Sequence, residues 1–284
     1  MELRYRNQAL TLAIVICLLA AAVLAPCGAG AQEGTAWWSS ATWFDWTDHR
    51  MELSGRFMLT RLMSGSVEDK SSGKKFDMAE HLGISRDPEP FLEFSGVFYL
   101  DRLAIRFSIE ENHLMRGRTS DWQRLSEFDM SIGRLGIDVN LLRLPFAAAG
   151  VNFDYYGSRI KFRAHDTTGM NISFESDRPM TIGLHVWAIP FRMKEVPVLV
   201  HARARFPFPV NVVTTRDHEV QLIDWEVGCG IRESVWDLSP WGFTTLSGGI
   251  EAGFRSGSIV IDSIEDGLLK ASWQGLFVQG AINF

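Results

Sequence analysis

Ten stretches of this chain carry apolar side chains in alternation with polar ones, and that period of two belongs to extended strands with two unlike faces. Leu53, Phe57 and Leu59 alternate with Ser54, Arg56 and Thr60, and Leu92, Phe94 and Phe98 alternate with Glu93 and Ser95. After a tight link at Asp101-Arg102, Leu103, Ile105, Phe107 and Ile109 alternate with Arg106, Ser108 and Glu110. A fourth strand begins at Phe128, Met130 and Ile132; near Gly133 its apolar phase slips to Leu135, Ile137 and Val139, as one extra residue in a bulge would cause. A fifth runs from Phe146, with Ala149, Val151 and Phe153 on one face, and slips near Gly157 to Ile160 and Phe162. At that length it either projects past its neighbours or conceals a turn at Tyr156-Gly157-Ser158. The remaining stretches read as 180–191, 198–210, 220–232, 244–255 and 271–284.

An even number of such strands lets the first pair antiparallel with the last, which removes the exposed sheet edges. A secreted β-sandwich also produces alternation, with its charged face toward solvent. Here the apolar face persists in nearly every strand while the other carries ions, and a lipid exterior around a polar interior accounts for both. The expected fold is therefore all-β, an antiparallel up-and-down transmembrane β-barrel of about ten strands, within a range of 8 to 12. The links at 64–89, 115–126 and 164–179 are long and polar, whereas those around Asp101, Asn140 and Lys194 are brief. Since short turns face the periplasm in bacterial barrels, both chain ends are expected on that side.

The N-terminal stretch has the layout of a secretory signal peptide: Arg4 and Arg6, an apolar run from Leu10 to Leu24, and the small-residue site Ala29-Gly30-Ala31. Residues 1–31 are accordingly set apart from the fold. A retained anchor is the alternative, and Leu24-Ala25-Pro26-Cys27 is a poor lipobox because proline precedes the cysteine. Without that peptide only Cys229 remains, so no intramolecular disulfide is available. Taking two basic and one acidic residue from totals of 28 and 34 leaves 26 against 33, and nothing in that balance suggests a nucleic-acid partner. After residue 31 no segment approaches the roughly 18 to 20 apolar residues of a spanning helix. Residues 32–50, with TAWWSSATWFDW at 35–46, read as a periplasmic or interfacial segment, because tryptophan favours the membrane–water boundary. Whether it is a helix or a strand is left open by its period. Residues 51–284 form the expected barrel.

The chain finishes on LFVQGAINF, with Leu276, Val278, Gly280, Ile282 and Phe284 on one strand face. This stretch resembles the C-terminal sorting signal of Gram-negative outer-membrane β-barrel proteins, with Phe284 as the terminal aromatic. The chain after residue 31 resembles the small OmpA-like and OmpX-like barrels, somewhat longer than their eight strands. The resemblance implies an outer-membrane location, contact with outer-membrane lipids and lipopolysaccharide, insertion by the barrel-assembly machinery after escort by periplasmic chaperones, and a monomer.

With the apolar face toward lipid, the lumen would hold Arg56, Glu93, Arg106, Glu110, Asp129, Asp154, His185, His201, Arg203, Arg205, Asp224, Glu226, Glu251 and Arg255, acids and bases nearly balanced. Antiparallel pairing across the 211–218 loop brings Arg205 near Asp224 and Arg203 near Glu226. Buried charges are tolerated when paired, so an ion-filled, closed lumen with a structural or surface-interaction role is the leading expectation. A narrow solute or ion pore is the second reading. A lipid- or envelope-modifying enzyme is the third, though no serine–histidine–carboxylate pattern stands out. Asp48-His49 reads as a polar linker and His113 as rim decoration. His81, His113, His165 and His218 fall near the presumed outer loops without ligand-type spacing, so neither a metal nor a cofactor is expected.

Overall fold

The computed structural model describes residues 51–70, 72–100, 103–110, 113–118, 124–144, 147–166, 171–175, 180–193, 196–207, 218–236, 246–263 and 267–283. Among them there is no helix, and they form ten barrel strands. These are β1 (Met51–Asp69), β2 in two pieces (Lys74–Asp77 and Glu89–Leu100), β3 in two pieces (Leu103–Glu110 and His113–Arg118), β4 (Arg124–Leu144), β5 (Ala147–Asp166), β6 in two pieces (Asn171–Glu175 and Met180–Met193), β7 (Val196–Pro207), β8 (His218–Trp236), β9 (Leu246–Ser263) and β10 (Gly267–Asn283). Each strand pairs antiparallel with the next in sequence, and β1 pairs with β10 from Glu52 opposite Asn283 to Asp69 opposite Gly267, closing the barrel. The start of β1 and the end of β10 therefore meet at one rim, called the terminal end below; the far rim is the distal end.

The outer wall is apolar because the strand period places Leu53, Phe57 and Leu59 of β1, Phe94 and Phe98 of β2, and Ile105, Phe107 and Ile109 of β3 outside, all exposed. On β10 Leu276 is 66% exposed and Val278 54%, with Ile282 also exposed, whereas Phe277, Gln279 and Ala281 are buried in the lumen. No aqueous solvent favours such a surface; a bilayer does. On β1 the exposed apolar residues run from Leu53 to Met63. At about 3.3 Å per residue and a tilt near 40°, that distance projects to roughly 25 Å, the height of a lipid-facing barrel belt.

The ladder bears on both phase slips. Between β4 and β5 the pairing is unshifted from Arg124 opposite Asp166 to Asn140 opposite Gly150, so there is no bulge at Gly133 on that side and no turn at 156–158. The shift in this pair falls between Asn140 and Leu142 instead. Asp129, placed in the lumen from sequence, lies where side chains are not described. On the side facing β3 the pairing does shift by one residue, between Ile109 opposite Gly133 and His113 opposite Met130.

Among the described residues the distal filling is one cluster. Leu62 and Val67 of β1, Tyr156 of β5, Leu222 of β8, Ile259 and Ile261 of β9, and Leu269, Ala271 and Trp273 of β10 all point inward, joined by Met78, Leu82 and Ile84 from the insertion between the two pieces of β2. A register shift between Leu62 and Ser64 keeps β1 supplying inward apolar residues on both sides of it. The insertion turns tightly back into the mouth: Asp77 Oδ1 accepts from the backbone N–H groups of Ala79 and Glu80, both at 2.9 Å, and Gly83 takes the left-handed φ of 65°. Met78 N–H donates to Gly65 O at 2.9 Å, and a Cβ on Gly65 would lie 2.2 Å from the Met78 sulfur, so the glycine makes the seat for this plug.

Candidate functional site: the charged lumen

Below the apolar cluster the inward positions of eight strands carry charge. Six arginines (Arg56, Arg106, Arg134, Arg203, Arg205 and Arg255) face six carboxylates (Glu93, Glu110, Asp138, Asp154, Asp224 and Glu226), and every member reaches the others through ion pairs. Arg205 is fully buried; its Nε donates to Asp154 Oδ2 at 2.9 Å and its Nη1 to Asp224 Oδ2 at 2.7 Å. Arg255 donates through Nε and Nη2 to the two oxygens of Asp224, at 3.0 and 2.9 Å, and through Nη1 to Glu110 at 3.0 Å and Glu93 at 3.3 Å. Glu93 and Glu110 sit opposite each other across β2 and β3, a repulsive arrangement that the shared Arg255 nitrogen relieves. Arg134 reaches Glu110 at 2.8 Å, and its guanidinium carbon lies 5.2 Å from the centre of the Tyr156 ring, where the ionic layer meets the apolar one.

Toward the terminal end, Arg56 pairs with Glu226 at 2.9 Å and Glu93 at 3.4 Å and lies 4.2 Å over the Phe277 ring. Arg203 reaches Asp138 at 3.2 Å and Glu226 at 3.6 Å, and Arg106 contacts the same Asp138 oxygen as Arg203. His201 lies 3.2 Å from Glu251, and His185 Nε2 lies 3.0 Å from Asn140 Oδ1. Small residues make room: a Cβ on Gly136 would lie 2.0 Å from Asp154 Oδ1, and one on Gly228 would lie 2.6 Å from Glu251 Oε1. Charged side chains of one strand are thus seated over glycines of the next.

The ladder sets Arg205 opposite Asp224 and Arg203 opposite Glu226, and of the fourteen residues placed in the lumen from sequence, Arg56, Glu93, Arg106, Glu110, Asp154, His185, His201, Arg203, Arg205, Asp224, Glu226, Glu251 and Arg255 lie inside the barrel, while the side chain of Asp129 is not described. Arg134, Asp138, Asn140 and Asn152 belong to the same interior and were not singled out, although Arg134, Asp138 and Asn140 alternate with Leu135, Ile137 and Val139. Leu276, Val278 and Ile282 of the terminal motif face outward, and Gly280 shares their parity; Phe284 lies outside the described residues, as do Asp48, His49 and the tryptophan-rich 35–46 segment. His81 is exposed in the plug turn, where its Nδ1 accepts from Asp77 N–H at 2.9 Å.

Between the ion network and the terminal rim lies a cavity of about 150 Å³, lined by polar residues with Trp187, Leu199, Val97 and Ala104 as apolar wall. Solvent reaches it at His201 and Arg203, whose side chains are 17% and 19% exposed. The lumen is thus a shallow polar vestibule, then a layer of fixed ion pairs, then an apolar plug.

A closed barrel of ten antiparallel strands with an apolar exterior and charged interior defines the class: this is the architecture of a transmembrane β-barrel. No protein-family model matches the chain, and no curated relative is found. Among solved structures, the outer membrane protease OmpT from Escherichia coli aligns over 84% of this chain and 98% of its own, at 9% identity and a TM-score of 0.40. The translocator domain of the autotransporter NalP from Neisseria meningitidis aligns over 83% and 88%, at 9% identity and a TM-score of 0.32. The outer membrane protein AlkL aligns over 83% and 91%, at 11% identity and a TM-score of 0.29. At these values the likeness extends to the barrel architecture and no further.

Proposed function

We propose that the protein is a non-conducting bacterial outer-membrane barrel with a structural or surface-interaction role, held shut by its own side chains. The carrying observation is the double filling of the lumen: a twelve-member ion network in series with an apolar plug that uses Met78, Leu82 and Ile84 from a loop. An ion crossing the barrel would have to break paired charges and then cross a dry layer, and desolvation opposes both steps. The exposed belt supports residence in a lipid bilayer, and the signal-peptide layout of residues 1–31 supports export as the route to it. On this reading the termini face the periplasm, the distal mouth faces outward, the final strand is read by the barrel-assembly machinery after delivery by periplasmic chaperones, and the monomer contacts lipopolysaccharide. The purified full chain in a planar bilayer is expected to show no steady conductance. Stable single-channel steps that persist when the plug is disulfide-locked in place would refute the closed reading and favour the pore.

A further inference from the structure

The vestibule at the terminal end is unfinished. Asp138 is contacted by both Arg106 and Arg203 through its Oδ2, while its Oδ1 has no hydrogen-bond partner. The same is true of Arg106 Nη1, Arg203 Nε and His185 Nδ1, and all four residues line the cavity. Arg106, Asp138 and His185 are more than nine-tenths buried. The ion layer has open valences too, at Arg205 Nη2 and Asp154 Oδ1, but neither of those residues lines the cavity.

The open valences have a pattern. Two guanidinium N–H groups ask for an acceptor, best an anionic one with two oxygens. Asp138 Oδ1 asks for a donor, as does His185 Nδ1 when Nε2 donates to Asn140 Oδ1. Trp187, Leu199, Val97 and Ala104 offer an apolar wall, and the roughly 150 Å³ volume suits a molecule of few heavy atoms. Glu52 and Glu251 stand on the lining too and disfavour a multiply charged anion. We infer that the vestibule binds a small carboxylate with a hydrogen-bond donor on the adjacent carbon, an α-amino or α-hydroxy acid with a short apolar side chain. The carboxylate meets Arg106 and Arg203, the donor meets Asp138, and the side chain lies against Trp187 and Leu199. This site does not depend on whether the barrel conducts, since it lies on one side of the ion network.

Isothermal titration of the full chain in lipid nanodiscs tests the assignment with four probes: L-leucine, 2-hydroxy-4-methylpentanoate, 4-methylpentanoate and 3-methylbutylamine. At least one of the first two is expected to bind saturably, and whichever binds identifies the donor as amine or hydroxyl. The acid without a donor and the amine without a carboxylate are expected to bind at least tenfold more weakly. Arg203→Gln is expected to weaken the binder at least tenfold. Ala104→Leu, which narrows the lining beside Asp138 without changing a charge, is expected to abolish binding in a barrel whose heat-modifiable migration on gels remains normal. Absence of saturable binding by both α-substituted acids would overturn the inference, as would an amine or an unsubstituted acid that binds equally well, or full binding by both variants.

Discussion

Asp224 offers the sharpest test of the lumen, because it accepts three hydrogen bonds from two buried arginines: one from Arg205 at 2.7 Å and two from Arg255 at 3.0 and 2.9 Å. Charge-assisted bonds contribute about 1.5–3 kcal/mol each, so Asp224→Leu could cost at most roughly 5–9 kcal/mol. Both arginines keep another carboxylate, Asp154 for Arg205 and Glu110 with Glu93 for Arg255, which brings the expectation down to about 4 kcal/mol, within the usual range for a broken buried pair. Arg205→Leu should cost about 3 kcal/mol, since Asp154 retains Asn152 Nδ2 at 2.9 Å and Asp224 retains Arg255. The double change removes the pair together but leaves Arg255 short of two bonds, so only part of the loss returns: about 5 kcal/mol in place of the roughly 7 of simple addition. Equilibrium unfolding in urea from lipid vesicles, followed by tryptophan fluorescence, measures all three. A coupling energy under about 0.5 kcal/mol would mean that Arg205 and Asp224 do not interact, and the register of β7 on β8 would fall with it.

Leu82→Asp places a charge in the apolar plug and should release the 78–88 insertion while leaving the barrel folded; limited proteolysis with mapping of the cut is expected to show faster cleavage there than in the parent. Gly257→Leu sets a side chain against the Trp273 ring, 2.4 Å from the nearest ring atom, and should cost about 1–3 kcal/mol in the same unfolding assay, whereas Gly280→Ala meets nothing within 4 Å and should be near neutral. Deleting Phe284 is expected to impair membrane insertion while export proceeds, giving periplasmic accumulation or degradation on fractionation; wild-type amounts of heat-modifiable barrel would remove support for the sorting-signal reading.

The strand count and the facing of Arg205 to Asp224 were legible because they follow from local alternation and a hairpin, both short-range properties. Periodicity states that a strand has two faces but not which solvent each face meets. In β1, β9 and β10 the inward set changes from Arg56, Arg255 and Gln279 to Leu62, Ile259 and Leu269, and such a change inside the barrel mimics a bulge when read as a lipid face throughout. The plug was hidden for a different reason: Met78, Leu82 and Ile84 are scattered in a polar loop, and their burial depends on a mouth formed by strands remote in sequence. The vestibule was illegible because it is defined by which atoms of Asp138, Arg106 and Arg203 remain unmatched, a property of rotamers and not of spacing.

Because the twelve charges come from eight strands, the network also polices assembly. Sliding one strand by a single residue would turn its charges toward lipid, at about 2–4 kcal/mol for an arginine near the bilayer midplane. Sliding it by two residues would keep them inside but carry each about 6.6 Å along the strand, beyond hydrogen-bond reach of its partners. Mismatched closures are thus penalised either by the bilayer or by orphaned ions. The same interlock restricts how the interior can change over generations: a lone charge reversal at Asp224 leaves Arg205 and Arg255 in conflict with it, so viable histories run through compensated exchanges on strands that are far apart in the chain.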